Sequence, residues 1–104
     1  MMADTPTFIT LTDLNAQVKK SLKEQFADAQ WIVAEVSEVN INHSGHCYLE
    51  LIEKNTETEQ ISARAKATIW SYTFRMLRPY FESVTGQPLS PGIKILVRVA
   101  VEFH

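Results

Sequence analysis

Four side chains carry the most distinctive chemistry in this sequence: Tyr48, Trp70, Arg64 and Lys66. Flat π-faces give bases a surface to stack on, and nearby cations hold phosphates. Together they are what a single-stranded nucleic acid requires. The spacing predicts that they meet. In a strand, successive side chains point to opposite faces. Within His43-Ser44-Gly45-His46-Cys47-Tyr48-Leu49-Glu50-Leu51, residues Cys47, Leu49 and Leu51 therefore face one way, and Tyr48 and Glu50 the other. In the next apolar segment Ile61, Ala63, Ala65, Ala67 and Ile69 share a face, opposite Ser62, Arg64, Lys66, Thr68 and Trp70. If these strands are neighbours, the aromatic and cationic residues form one outward surface.

Other chemistries find less support. His43, His46 and Cys47 have metal-ligand spacing, but no second cluster completes a tetrahedral set, and alternation sends Cys47 into the core. No metal site is expected; His46 is assigned to holding its loop by hydrogen bonds and to touching nucleic acid. Glu35, Glu38, Glu50 and Glu53 offer carboxylates, yet nothing fixes a pair at a catalytic separation. No Gly-rich phosphate loop or activated nucleophile is visible. Neither a catalytic residue nor a cofactor is expected. The same carboxylates reduce the positive charge of the proposed binding surface.

Positioning these residues is the task of a small chain. Its 104 residues suffice for one domain with a single core. An apolar fraction of 45% and a charged fraction of 21% are those of a soluble globular protein. No apolar run approaches a membrane span, no signal peptide is evident, and one cysteine forms no internal disulfide, so a cytoplasmic location is expected. The formal net charge of −2 argues against a globally basic nucleic-acid binder. A local basic stripe still works, because screening leaves only nearby charges effective.

Thr12 is read as the N-cap of a first helix, with Asp13 in its first turn and Leu14, Val18, Leu22 and Phe26 as a core-facing stripe. Residues 31–40 read as a strand with Ile32, Ala34 and Val36 inward and Val33, Glu35 and Ser37 outward. A polar turn over 55–59 makes a hairpin of the second and third strands. Ser71 is read as a second N-cap, before a helical stripe of Phe74, Leu77, Phe81 and Val84. Pro79 should kink that helix or start another, and Gly86 should end it. Residues 93–103 form the last strand, with Ile93, Ile95, Val97, Val99, Val101 and Phe103 on one face and Arg98 on the other.

A strand meander, a helix after the third strand and then another strand is the order of an OB-fold, a partly open Greek-key barrel of five strands. The alanines of the third strand suit tight barrel curvature. The organisation expected is an N-terminal extension and helix over 1–30, then a mainly β OB-fold domain over 31–104, incomplete at its C-terminus.

Leu11-Thr12-Asp13-Leu14-Asn15, Trp31-Ile32-Val33-Ala34-Glu35-Val36-Ser37, the Ser44–Leu51 run and Ile61–Trp70 together resemble the N-terminal domain of the exodeoxyribonuclease VII large subunit. The resemblance implies an OB domain that grips single-stranded DNA for a nuclease. It also implies a catalytic domain, and a helical region that recruits the small subunit, both outside these residues. This sequence is therefore expected to be non-catalytic itself. The nucleic-acid-binding set is Tyr48, Arg64, Lys66, Trp70, His46, His43, Ser44 and Arg98. An alternative is an OB-type protein-interaction module that docks a partner chain on the aromatic face. With a fifth strand missing, the third and fourth strands have unpaired edges, which predicts edge-mediated oligomers.

Overall fold

A computed structural model describes residues 5–103. The chain divides into two compact units, Met1–Trp31 with Arg98–His104, and Ile32–Val97. In the first unit, α1 (Leu11–Gln25) is capped by Thr10, whose Oγ1 accepts a hydrogen bond from the Asp13 N–H at 3.0 Å. The cap therefore falls two residues before the expected Thr12. Thr10 has extended backbone geometry and lies three residues before a free first-turn N–H, the arrangement a cap requires. The Leu14, Val18, Leu22, Phe26 stripe does not form core: Leu14 and Phe26 are exposed, and no residue of α1 is buried.

The strands are β1 (Gln30–Ile41), β2 (Cys47–Lys54), β3 (Ile61–Ile69) and β4 (Lys94–Val99), in the sheet order β3-β2-β1-β4. β1 pairs antiparallel with β2, and β2 with β3. Among the described residues β3 and β4 are thus the two edges of an open sheet, as the four-strand count implied. The 55–59 turn closes as expected. Asn55 Oδ1 accepts from the N–H groups of Glu57 and Thr58, at 2.8 and 3.2 Å.

The core of the second unit joins Ala34, Val36, Cys47, Leu49, Leu51 and Phe74. The inward assignments for β1 and β2 hold. In β3 they hold only at one end: Ala67 and Ile69 pack on the core, while Ala63 and Ala65 are exposed. Alternation specifies which side chains share a face, but burial also needs an opposing layer, and among the described residues nothing covers the far end of this edge strand. The last strand is shorter than expected, and Val101 is exposed.

A β-bulge between Val36 and Glu38 reshapes β1. Val36 pairs with Leu51 and Glu38 with Glu50, so Ser37 is the extra residue. Strict alternation from Val36 would turn Glu38 and Asn40 toward the core. The bulge instead brings Val39 to the core and puts Glu38 and Asn40 on the other face.

Helix α2 (Ser71–Thr85) runs unbroken through Pro79, so no second helix begins there. Proline supplies no N–H, which leaves the Arg75 carbonyl without its usual bond one turn on. Trp70, not Ser71, is the N-cap, and it makes no side-chain cap bond. Gly86 ends the helix in left-handed geometry at φ 75°. Of the expected stripe only Phe74 is buried; Leu77 and Val84 are exposed. Tyr72, Met76 and Tyr80 give the helix a second exposed apolar row.

Candidate nucleic-acid interface

The outward face of the β1–β2–β3 sheet is built by register. Asn40 lies opposite Tyr48 and Glu38 opposite Glu50; across the next ladder Tyr48 faces Thr68, Glu50 faces Lys66 and Ile52 faces Arg64. A shallow depression of about 320 Å³ opens here, lined by Glu38, Asn40, Tyr48, Glu50, Lys66 and Thr68 among others. Tyr48, Arg64 and Lys66 thus share a surface, the grouping expected from alternation.

The cations on this face are not equivalent. Arg64 Nη1 lies 2.9 Å from Glu50 Oε1, which also accepts a 2.7 Å hydrogen bond from Ser37 Oγ. The guanidinium is therefore spoken for in the free protein. Lys66 has no ion pair among the described residues, although Glu50 lies opposite it in register. Glu38 brings a second carboxylate beside Glu50, so like charges meet across the register and reduce the positive charge of this face, as expected of these carboxylates. Ile52, on the same strand face, is buried.

At the other end of the face, His46 links two exposed aromatics. Its ring stands edge-on to Trp70 at 5.1 Å and to Tyr48 at 6.5 Å. Tyr48 and Trp70 keep 40% and 48% of their surface open, enough to receive a stacked ring. Nδ1 of His46 accepts a 2.9 Å hydrogen bond from the Ser71 N–H, so the imidazole proton belongs on Nε2. His46 thereby does the capping expected of Ser71, because its ring nitrogen reaches the orphan amide at the start of α2. The loop itself is tied by Asn42, whose Oδ1 accepts from the His46 N–H at 2.9 Å. Gly45 adopts φ 89°, and a Cβ there would meet Ser71 Cβ at 3.3 Å. Glycine therefore lets the loop lie against the helix start.

His43 and Ser44 are exposed on this turn. Ser44 lines a different cleft, beside α2, and not the sheet depression. Arg98 is exposed on β4 and belongs to the other unit. Cys47 is fully buried, and its burial pushes the thiol's pKa up, against a weaker lowering influence from the Arg78 charge. Among the described residues no group of three or more His, Cys, Asp or Glu side chains is placed to hold a metal ion.

Strand order, the helix after β3 and the loop-braced aromatic face agree with one family. A family model described as an OB-fold nucleic acid binding domain matches residues 9–104. The chain belongs to that family. No curated protein matches it. The OB fold accounts for the position of the site, since such domains bind through the strand 2–3 face and adjoining loops. Two features of this OB domain were not legible in advance. The Glu50–Arg64 pair depends on side-chain reach across a register, and Arg75 and Arg78 lie on α2, outside the strand alternation that groups residues of β2 and β3. No helix among the described residues is long and apolar enough to cross a membrane.

Proposed function

We propose that this OB domain binds single-stranded DNA as the strand-gripping module of an exodeoxyribonuclease VII-type large subunit, in the cytoplasm. Bases stack on Tyr48 and Trp70, while Lys66 and, once released from Glu50, Arg64 contact phosphates. The observation that carries this reading is the exposed Tyr48–His46–Trp70 cluster on the face that holds Lys66. His43 and Ser44 are further contacts in the proposal. The domain passes the strand to a catalytic domain elsewhere in the enzyme, and the small subunit joins through other regions. No step of hydrolysis is assigned to these residues.

Fluorescence anisotropy with labelled oligonucleotides tests the reading. Modest binding to single strands, little sequence preference and weaker binding to duplex are expected, because stacking contributes ~1–3 kcal/mol per base. Equal or tighter duplex binding would overturn it. Binding that ignores salt would favour apolar docking of a protein partner, since phosphate contacts weaken steeply with salt. The same strands should remain uncut with and without magnesium.

A further inference from the structure

A second depression of about 320 Å³ lies between the Ser44–Gly45 turn and α2. Its lining includes Ser44, Ser71, Phe74, Arg75 and Arg78, and no carboxylate. Ser71, Arg75 and Arg78 recur at helical spacing, so they share one side of α2. Arg75 has no ion pair or hydrogen bond from its side chain among the described residues. Arg78 lies 5.6 Å from the centre of the Phe74 ring, which is buried and holds it over the core. Among the described residues its only ion pair is a long one to Glu82, at 3.7 Å, and Glu82 is not part of the lining. The hydroxyls of Ser44 and Ser71 likewise have no hydrogen-bond partner among the described residues. The first helix amide is occupied by His46, so the cations and hydroxyls are what the cleft offers a ligand.

We infer that this cleft is a phosphate subsite in which Arg75 and Arg78 hold the backbone of a nucleic-acid strand continuing from the Tyr48–Trp70 face. The inference rests on the proposed function and extends its path. Continuity comes from the loop itself. Its His46 ring contacts Tyr48 and Trp70, its Gly45 and Ser44 wall the cleft, and Trp70 directly precedes Ser71. A strand that leaves the aromatic surface over this turn meets two guanidinium groups and no opposing carboxylate in the lining. Phosphodiesters suit that composition, because guanidinium forms charge-assisted, often bidentate bonds to phosphate.

Oligonucleotide length separates the two parts of the path. A strand of ~5 nucleotides spans only the aromatic face, whereas one of ~15 nucleotides reaches the cleft, within the site sizes known for OB folds. Arg75→Ala removes no ion pair or hydrogen bond within the described residues, so it tests the cleft at little cost to the fold. For the long strand, Arg75→Ala combined with Arg78→Ala should bind roughly tenfold more weakly at low salt. Its log–log salt slope should become shallower by about 0.7 per lost phosphate contact. Arg75→Ala alone should show part of both effects, Arg75→Lys should recover most of the affinity, and the short strand should bind all forms alike. If Arg75→Ala matches the parent on the long strand at every salt concentration, the cleft is not a phosphate subsite, while the aromatic-face reading survives on the short strand. Failure of the parent to bind either strand overturns both. Displacement of the long strand by polyglutamate as readily as by unlabelled DNA would make the cleft a site for acidic protein segments and overturn the assignment to nucleic acid.

Discussion

Two depressions of similar size flank the His46 loop, and they differ in how their charges are arranged. On the sheet face, Lys66 and Arg64 share the surface with Glu38 and Glu50, and Glu50 already holds Arg64 at 2.9 Å. In the cleft beside α2, Arg75 and Arg78 have no carboxylate in the lining. The sheet face is rich in stacking surface and nearly balanced in charge. The helix cleft is cationic and lacks an exposed ring in its lining. Shape and apolar contact should therefore dominate on one side of the loop, and electrostatics on the other. A chain of net charge −2 can attract phosphates in this way, by keeping carboxylates out of one place.

The largest expected effect comes from the stacking side. Tyr48→Ala should weaken single-strand binding by ~1–3 kcal/mol with an almost unchanged salt slope, as measured by anisotropy at several salt concentrations. A marked change in slope would erase the contrast between the two depressions. Gly45→Ala should disturb both at once. Left-handed backbone costs a non-glycine residue about 1–2 kcal/mol, and the new Cβ presses on Ser71. A lower unfolding midpoint, with weaker binding of both short and long strands, is the expected outcome.

Next come the charges of the sheet face. Lys66→Ala should reduce the salt slope by about 0.7, the share of one contact on a single strand. Arg64→Ala should reduce it by less, because Arg64 must first leave Glu50. Equal effects from the two substitutions would show that the Glu50 pair does not compete with the ligand. Glu38→Gln should tighten binding by roughly 0.2–1 kcal/mol, the scale of an exposed charge pair, and steepen the salt dependence. No gain would mean that the carboxylate does not face the bound strand.

The smallest effect reaches into the core. Burial raises the Cys47 pKa, with Arg78 pulling weakly the other way. An unfolded thiol ionises near ~8.5, so the folded chain holds its proton more tightly than the unfolded chain. Stability should be full below that value and fall as pH rises through and above it. Urea melts should record the fall, and Cys47→Ala should flatten it. Arg78→Ala should steepen it, which would confirm that a cleft arginine acts on the core. An unchanged alkaline slope in Arg78→Ala would separate the cleft from the core electrostatically.

The sequence alone determined the strand alternation of β2, the hairpin, the helix after β3 and the shared face of Tyr48, Arg64 and Lys66. These follow from local periodicity and turn chemistry, which act over a few residues. It also identified Gly86 as a stop, because left-handed geometry at a helix end favours glycine. Only the tertiary structure decided the rest. The bulge at Ser37 depends on how β1 fits β2; it brings Val39 to the core and is what lets Glu38 reach the binding surface where its charge was expected. Ser71 looked like a cap, yet its amide is capped by His46 from 25 residues away. Ala63 and Ala65 had the pattern of a core face but no layer above them among the described residues, so they stayed exposed. Arg75 and Arg78 became a cationic cleft only because the Ser44–Gly45 turn lies against α2. Each of these outcomes joins residues distant in sequence, where side-chain reach and available cover, not local pattern, set the result.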